Sequence, residues 1–144
     1  MIQRTSASQT GSMLLESLIA VLIFSMGILA IVGMQASAVK ASSDAKFRSD
    51  ASMVANQLIG EMWVSNRTAA TLQTNFQGGG GTDGALYTAW LADVQAALPG
   101  AAANPPVVTV NPQTSVVTVT VFWIAPGEPA GAAPHSFNIV AQII

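Results

Sequence analysis

Residues 11–40 read GSMLLESLIAVLIFSMGILAIVGMQASAVK. From position 17 to position 39 no side chain carries a formal charge, a run of 23 residues. As a helix rising 1.5 Å per residue it spans roughly 34 Å, and the hydrocarbon core of a bilayer is about 30 Å thick. Leu, Ile, Val, Ala, Met and Phe fill the run, interrupted by Ser17, Ser25, Gly27, Gly33, Gln35 and Ser37. A helix lying against a soluble core shows a polar face. This one shows none before Lys40, and it reads as a membrane-spanning segment. Glu16 stands at its start. An ionised carboxylate in apolar surroundings costs several kcal/mol unless it is paired. Glu16 therefore either reaches water at the membrane interface or finds a cationic partner.

The remaining composition narrows the function. The chain has 144 residues, of which 51 % are apolar and 8 % charged, with a net charge of −2. An average soluble domain carries about 25 % charged residues. So few basic groups make a poor nucleic-acid binder, because affinity for phosphate backbones is mostly electrostatic. There is no cysteine, hence no disulfide, thiolate nucleophile or zinc–cysteine site. The length allows one domain with one modest core.

Two processing sites compete. Residues 1–11 are polar, with Arg4 their single base. They could form the n-region of a secretory signal, with Ala36-Ser37-Ala38 as an A-x-A cleavage site that releases a soluble product from Val39. The apolar run is longer than the usual h-region of about 7–15 residues. The second site lies at the other end of the run: Gly11, four residues, Glu16, then the long apolar helix. This arrangement resembles the signature of type IV prepilins. The resemblance implies that a prepilin peptidase cuts after Gly11 and methylates the new amino terminus on Ser12. It also implies that the amine neutralises Glu16 of a neighbouring subunit and so sets the stagger of the fibre. The cytoplasmic placement of the leader follows from the resemblance and not from charge counting, since Lys40, Lys46 and Arg48 follow the span.

Helical periodicity continues past Lys40. Phe47, Ala51, Val54, Leu58 and Met62 share one face, and Ser42, Ser43, Lys46, Ser49, Asp50, Asn56, Gln57 and Glu61 fill the others. One helix is predicted over about 14–66, apolar all round in its first half and amphipathic in its second. Gly78 to Gly81 reads as a flexible loop, since no Gly-Lys-Ser/Thr follows to make a phosphate cradle. A short helix is predicted over 85–98, with Leu86, Trp90, Val94 and Ala97/Leu98 on its inner face and Pro99-Gly100 as its stop. Residues 101–106 are a linker. Strands follow at 107–110, 116–124 and 136–144, with Asn111-Pro112-Gln113-Thr114 as the first turn and 125–134 as a loop. The fold class is α+β: a long N-terminal helix packed on a small three-stranded antiparallel meander. The expected parts are a leader (1–11), a transmembrane and assembly helix (12–39) and a periplasmic head (40–144).

The order of elements resembles one branch of the type IV pilins, the minor pilins of the PilV (pilus modification protein) kind. The matching residues are Ala55-Asn56-Gln57-Leu58 through Met62, Asn66-Arg67, Trp90 with Leu98-Pro99-Gly100, and the Val-Thr-Val run ending at Trp123. The resemblance implies the type IV pilin fold and a single-pass inner-membrane precursor that enters a pilus fibre at the cell surface. Its partners would be prepilin peptidase, the other minor pilins, the major pilin and the assembly platform. It would promote assembly, with effects on adhesion or twitching. The runner-up is a minor pseudopilin of a type II secretion system. A third class is a secreted binding or enzymatic domain released at Ala38.

Chemistry-bearing constellations are weak. The single histidine, His135, enters the last strand beside Ser136, and neighbours on a strand point to opposite faces. A metal site needs three or four convergent ligands. Asp83 and Asp93 lie near a loop and on a solvated helix face. Trp63, Trp90 and Trp123 read as core or interface anchors. No enzyme activity, cofactor or metal is expected. Gly27 and Gly33 either let helices approach closely or are ordinary membrane-helix glycines.

Overall fold

A computed structural model describes residues 10–144. Of the expected leader, residues 1–9 lie outside the described residues. The elements in chain order are helix α1 (Thr10–Val64), helix α2 (Ala69–Phe76), helix α3 (Ala85–Ala97) and strands β1 (Val107–Val110), β2 (Val116–Trp123) and β3 (His135–Gln142). The chain divides into two compact units, one through Ala41 and the other Ser42–Ile144.

In the first unit, α1 exposes its apolar side chains on all sides, from Met13 and Leu14 to Met34 and Val39. It contains the one helix that is long and apolar enough to cross a membrane among the described residues. No proline interrupts it. Its serines bond back into the helix: Ser17 Oγ donates to the Met13 carbonyl (2.9 Å), Ser25 Oγ to Val21 (2.7 Å) and Ser37 Oγ to Gly33 (3.2 Å). Such bonds satisfy hydroxyls that hydrocarbon could not.

In the second unit, the rest of α1 turns amphipathic. Ala51, Val54, Ala55, Leu58, Ile59 and Met62 are buried, and Phe47 packs against them half-buried. The helix closes at Ser65, whose N–H donates to Glu61 O (3.1 Å) and whose Oγ donates to Met62 O (2.9 Å).

The sheet runs β1-β2-β3, antiparallel throughout. Strand β2 alternates as its sequence predicts. Val117, Val119, Val121 and Trp123 point into the core, while Val116, Thr118, Thr120 and Phe122 are half-buried on the other face. In the β1–β2 turn, Asn111 Oδ1 accepts from the N–H groups of Gln113 (2.9 Å) and Thr114 (3.1 Å). The inner faces of α1, α3 and the sheet share one apolar core. This is a long N-terminal helix with a small three-stranded antiparallel sheet.

Four expectations change. Helix α2 falls where no element was foreseen. Only Leu72 and Phe76, one turn apart, anchor it, and eight residues with two apolar positions give too little periodicity to read. Thr68 starts it by accepting from Thr71 N–H through Oγ1 (3.4 Å). On α3 the inward residue is Tyr87, fully buried, while Leu86 is exposed; with Trp90 and Val94 the face is set by i−3 and not i−4. Trp63, read as a core or interface anchor, is exposed and outside the core that holds Trp90 and Trp123, so only the core alternative falls.

The tetraglycine run is the fourth. Its first half is built in and does not act as a free loop. Gly78 and Val108 exchange backbone bonds (3.2 and 3.0 Å), which covers the outer edge of β1. A Cβ on Gly78 would meet the Tyr87 ring at 2.4 Å. Gly79 has φ +81°, and a Cβ there would fall 2.1 Å from the Pro106 carbonyl oxygen. Gly80 and Gly81 face open space.

Candidate functional site

The candidate site is the stretch of α1 from Gly11 to Leu18. Gly11 and Ser12 lie within α1. Glu16 follows Ser12 by four residues, hence on the same face and ~6 Å further along the axis. It is exposed, as are Met13, Leu14, Leu15 and Leu18 around it. No proton donor or cation bonds its carboxylate among the described residues. With the nearby serines bonded to their own helix, Glu16 is the single ionisable side chain between Ser12 and Val39.

The competing cleavage site also lies within α1. Ala36, Ser37 and Ala38 sit deep inside α1, and Ser37 Oγ is bonded to Gly33. Proteolysis there requires a helix to open in its interior.

Elsewhere the chemistry-bearing residues are used structurally. His135 is the first residue of β3. Its Nε2 lies 2.8 Å from Glu128 Oε1, and its ring stacks on Trp123 with centroids 5.6 Å apart. Together they tie down the β2–β3 loop. Asp83 Oδ1 accepts from Gly79 N–H (2.8 Å), and Asp93 Oδ2 accepts from Gln57 Nε2 (3.3 Å). The structure brings neither aspartate to a second carboxylate. Among the described residues no three His, Asp or Glu side chains converge as a metal site. A small concavity of about 120 Å³ between the glycine run and β1 is lined by Gln77, Gly80, Thr82 and Val107, with no titratable group.

Sequence reasoning missed the role of Tyr87. Its hydroxyl donates to the Pro106 carbonyl (2.6 Å) from a fully buried position, tying α3 to the segment that leads into β1. Burial, with a smaller contribution from the Asp83 charge, pushes its pKa up to about 12. The role is one of support.

Known protein families, curated proteins and solved structures were each compared with the chain, and none matches it.

Proposed function

We propose that this chain is a minor pilin of the type IV class: a single-pass inner-membrane precursor cut after Gly11, then packed with other pilins into a fibre by its apolar helix. The observation that carries the reading is Glu16, a lone ionisable group one helical turn from Ser12 in an otherwise uncharged, fully exposed apolar stretch. Such a group is costly in an apolar assembly and calls for a cationic partner. Cleavage after Gly11 makes one, because it places an amine on Ser12. The amine of one subunit neutralises Glu16 of the next, and that pairing fixes the axial offset between helices. The exposed apolar surface of α1 supplies the packing area first in the membrane and then in the fibre. The second unit is the head, with the type IV pilin fold, and stays outside the membrane.

The test replaces Glu16 by Ala and by Asp and measures the chain in sheared pili against the amount left in the membrane. The reading expects Glu16→Ala to insert and be cut normally yet fall at least about tenfold in the sheared fraction, with partial recovery for Glu16→Asp. Incorporation of Glu16→Ala at the wild-type level contradicts it.

A further inference from the structure

The two edges of the sheet are treated differently. The outer edge of β1 is covered: Val108 exchanges both of its outward backbone bonds with Gly78, and α2 lies alongside. Strand β3 has no neighbour on its far side among the described residues. The ladder with β2 decides which of its groups are spent. Ile143 N–H donates to Ser115 O (3.0 Å), and the pairing continues as Ala141 with Val117, Ile139 with Val119 and Phe137 with Val121. In an antiparallel ladder every second residue bonds to the same partner. The N–H and C=O groups of Ser136, Asn138, Val140 and Gln142 therefore face outward.

Proteins guard such edges with lysines, prolines, bulges or a covering segment. From Ser136 to Ile144 this strand has no charge, proline or glycine. Its inward residues Phe137, Ile139 and Ala141 pack on the core but stay half-buried, whereas Val121, Val119 and Val117 beside them on β2 are fully buried. The difference is that between an edge strand and a central one.

We propose that β3 pairs antiparallel with β3 of a second copy of this chain, making one six-stranded sheet with Ile139 facing Ile139 on the two-fold axis. The geometry favours this occupant. In that register Ser136 pairs with Gln142 and Asn138 with Val140, so all four outward donors and acceptors of each copy are used. On the apolar face Phe137 meets Ala141, a large residue against a small one, and Ile139 meets its twin. No charge opposes a like charge, since His135 lies across from Ile143. The eight-residue strand is ~27 Å long, and one such edge covers less than the ~1,200 Å² of a freestanding stable interface. The pairing is therefore weak in dilute solution and gains from copies held close by a shared membrane.

The chain has no cysteine, so single cysteines report the contact directly. Full-length protein in dodecyl maltoside micelles, carrying Ile139→Cys, Ser136→Cys or Gln142→Cys, is oxidised and the rate of disulfide dimer formation followed. The expected result is a rate at least about tenfold higher for Ile139→Cys. Adding Val140→Pro should bring that rate down to the control level, because the Val140 N–H is not used in the fold. An equal mixture of Asn138→Cys and Val140→Cys, both on the solvent face, should cross-link to each other faster than either does alone, which decides the matter if Ile139→Cys fails to fold. Equal rates at all positions, a maximum at Ser136 or Gln142, or indifference to Val140→Pro overturns the proposal. Association through α1 alone gives the first of these patterns.

Discussion

The indole Nε1 of Trp90 donates to the backbone carbonyl of Val54 across 2.9 Å, joining α3 to the middle of the amphipathic part of α1. Trp90 is 2 % exposed and Val54 equally so. The Val54 carbonyl lies inside a helix and has a second lone pair free for the indole. This bond, with the Tyr87 ring 5.9 Å from the Trp90 ring, sets how α3 sits on the core.

Trp90→Phe keeps an aromatic ring but loses the hydrogen bond and part of the volume. A loss of about 2 kcal/mol is expected, and Trp90→Ala should cost about 3–5 kcal/mol. Urea unfolding of the full-length chain in micelles, followed by near-UV circular dichroism, measures both. A change under about 0.5 kcal/mol for Trp90→Phe would contradict the role given to this contact.

Tyr87 predicts an alkaline transition. It is the one tyrosine of the chain, so absorbance near 295 nm reports it alone. Its pKa is raised from 10.0 to about 12 in the folded state. The folded state then holds the proton where the unfolded state has lost it. The stabilising contribution is complete below pH 10 and declines as pH rises towards about 12. Titration should show a midpoint well above 10, moving down to about 10 in denaturant. Tyr87→Phe should remove the alkaline loss and cost about 1 kcal/mol at neutral pH through the Pro106 bond.

The glycine run separates into two behaviours. Gly79→Ala combines a positive φ with a clash against backbone at Pro106, which cannot swing away as a side chain could. Destabilisation by about 2–3 kcal/mol is expected. Gly80→Ala meets nothing and should stay within about 0.5 kcal/mol of the parent. The same unfolding experiment compares them, and equal effects would contradict the structural role of Gly79.

Much of this fold was legible in the sequence because its signals are long or strictly periodic. The uncharged run at 17–39 and the 3–4 spacing from Phe47 to Met62 run on as one helix, which the structure draws as α1. The alternation from Val117 to Trp123 gives β2 and its inward face. What stayed hidden depends on contacts distant in sequence. Choosing Tyr87 over Leu86 as the inward residue requires the Pro106 carbonyl, 19 residues away, to receive its hydroxyl. Gly78 reads as flexible until Val108 is placed beside it. At the candidate site, Gly11, Ser12 and Glu16 could be named from their resemblance to the prepilin signature. Their placement within α1, with Ser17 beside Glu16 already bonded to the Met13 carbonyl, needed coordinates.

The central claim is that this chain is processed and assembled as a pilin, and the mature amino terminus tests it most directly. Intact mass and N-terminal sequencing of the protein, produced with and without a prepilin peptidase, read that terminus. The account predicts a peptidase-dependent start at Ser12 carrying one added methyl group. A start at Val39, the same with or without the peptidase, would contradict it: the apolar run would be a discarded signal and Glu16 would have no part in a fibre.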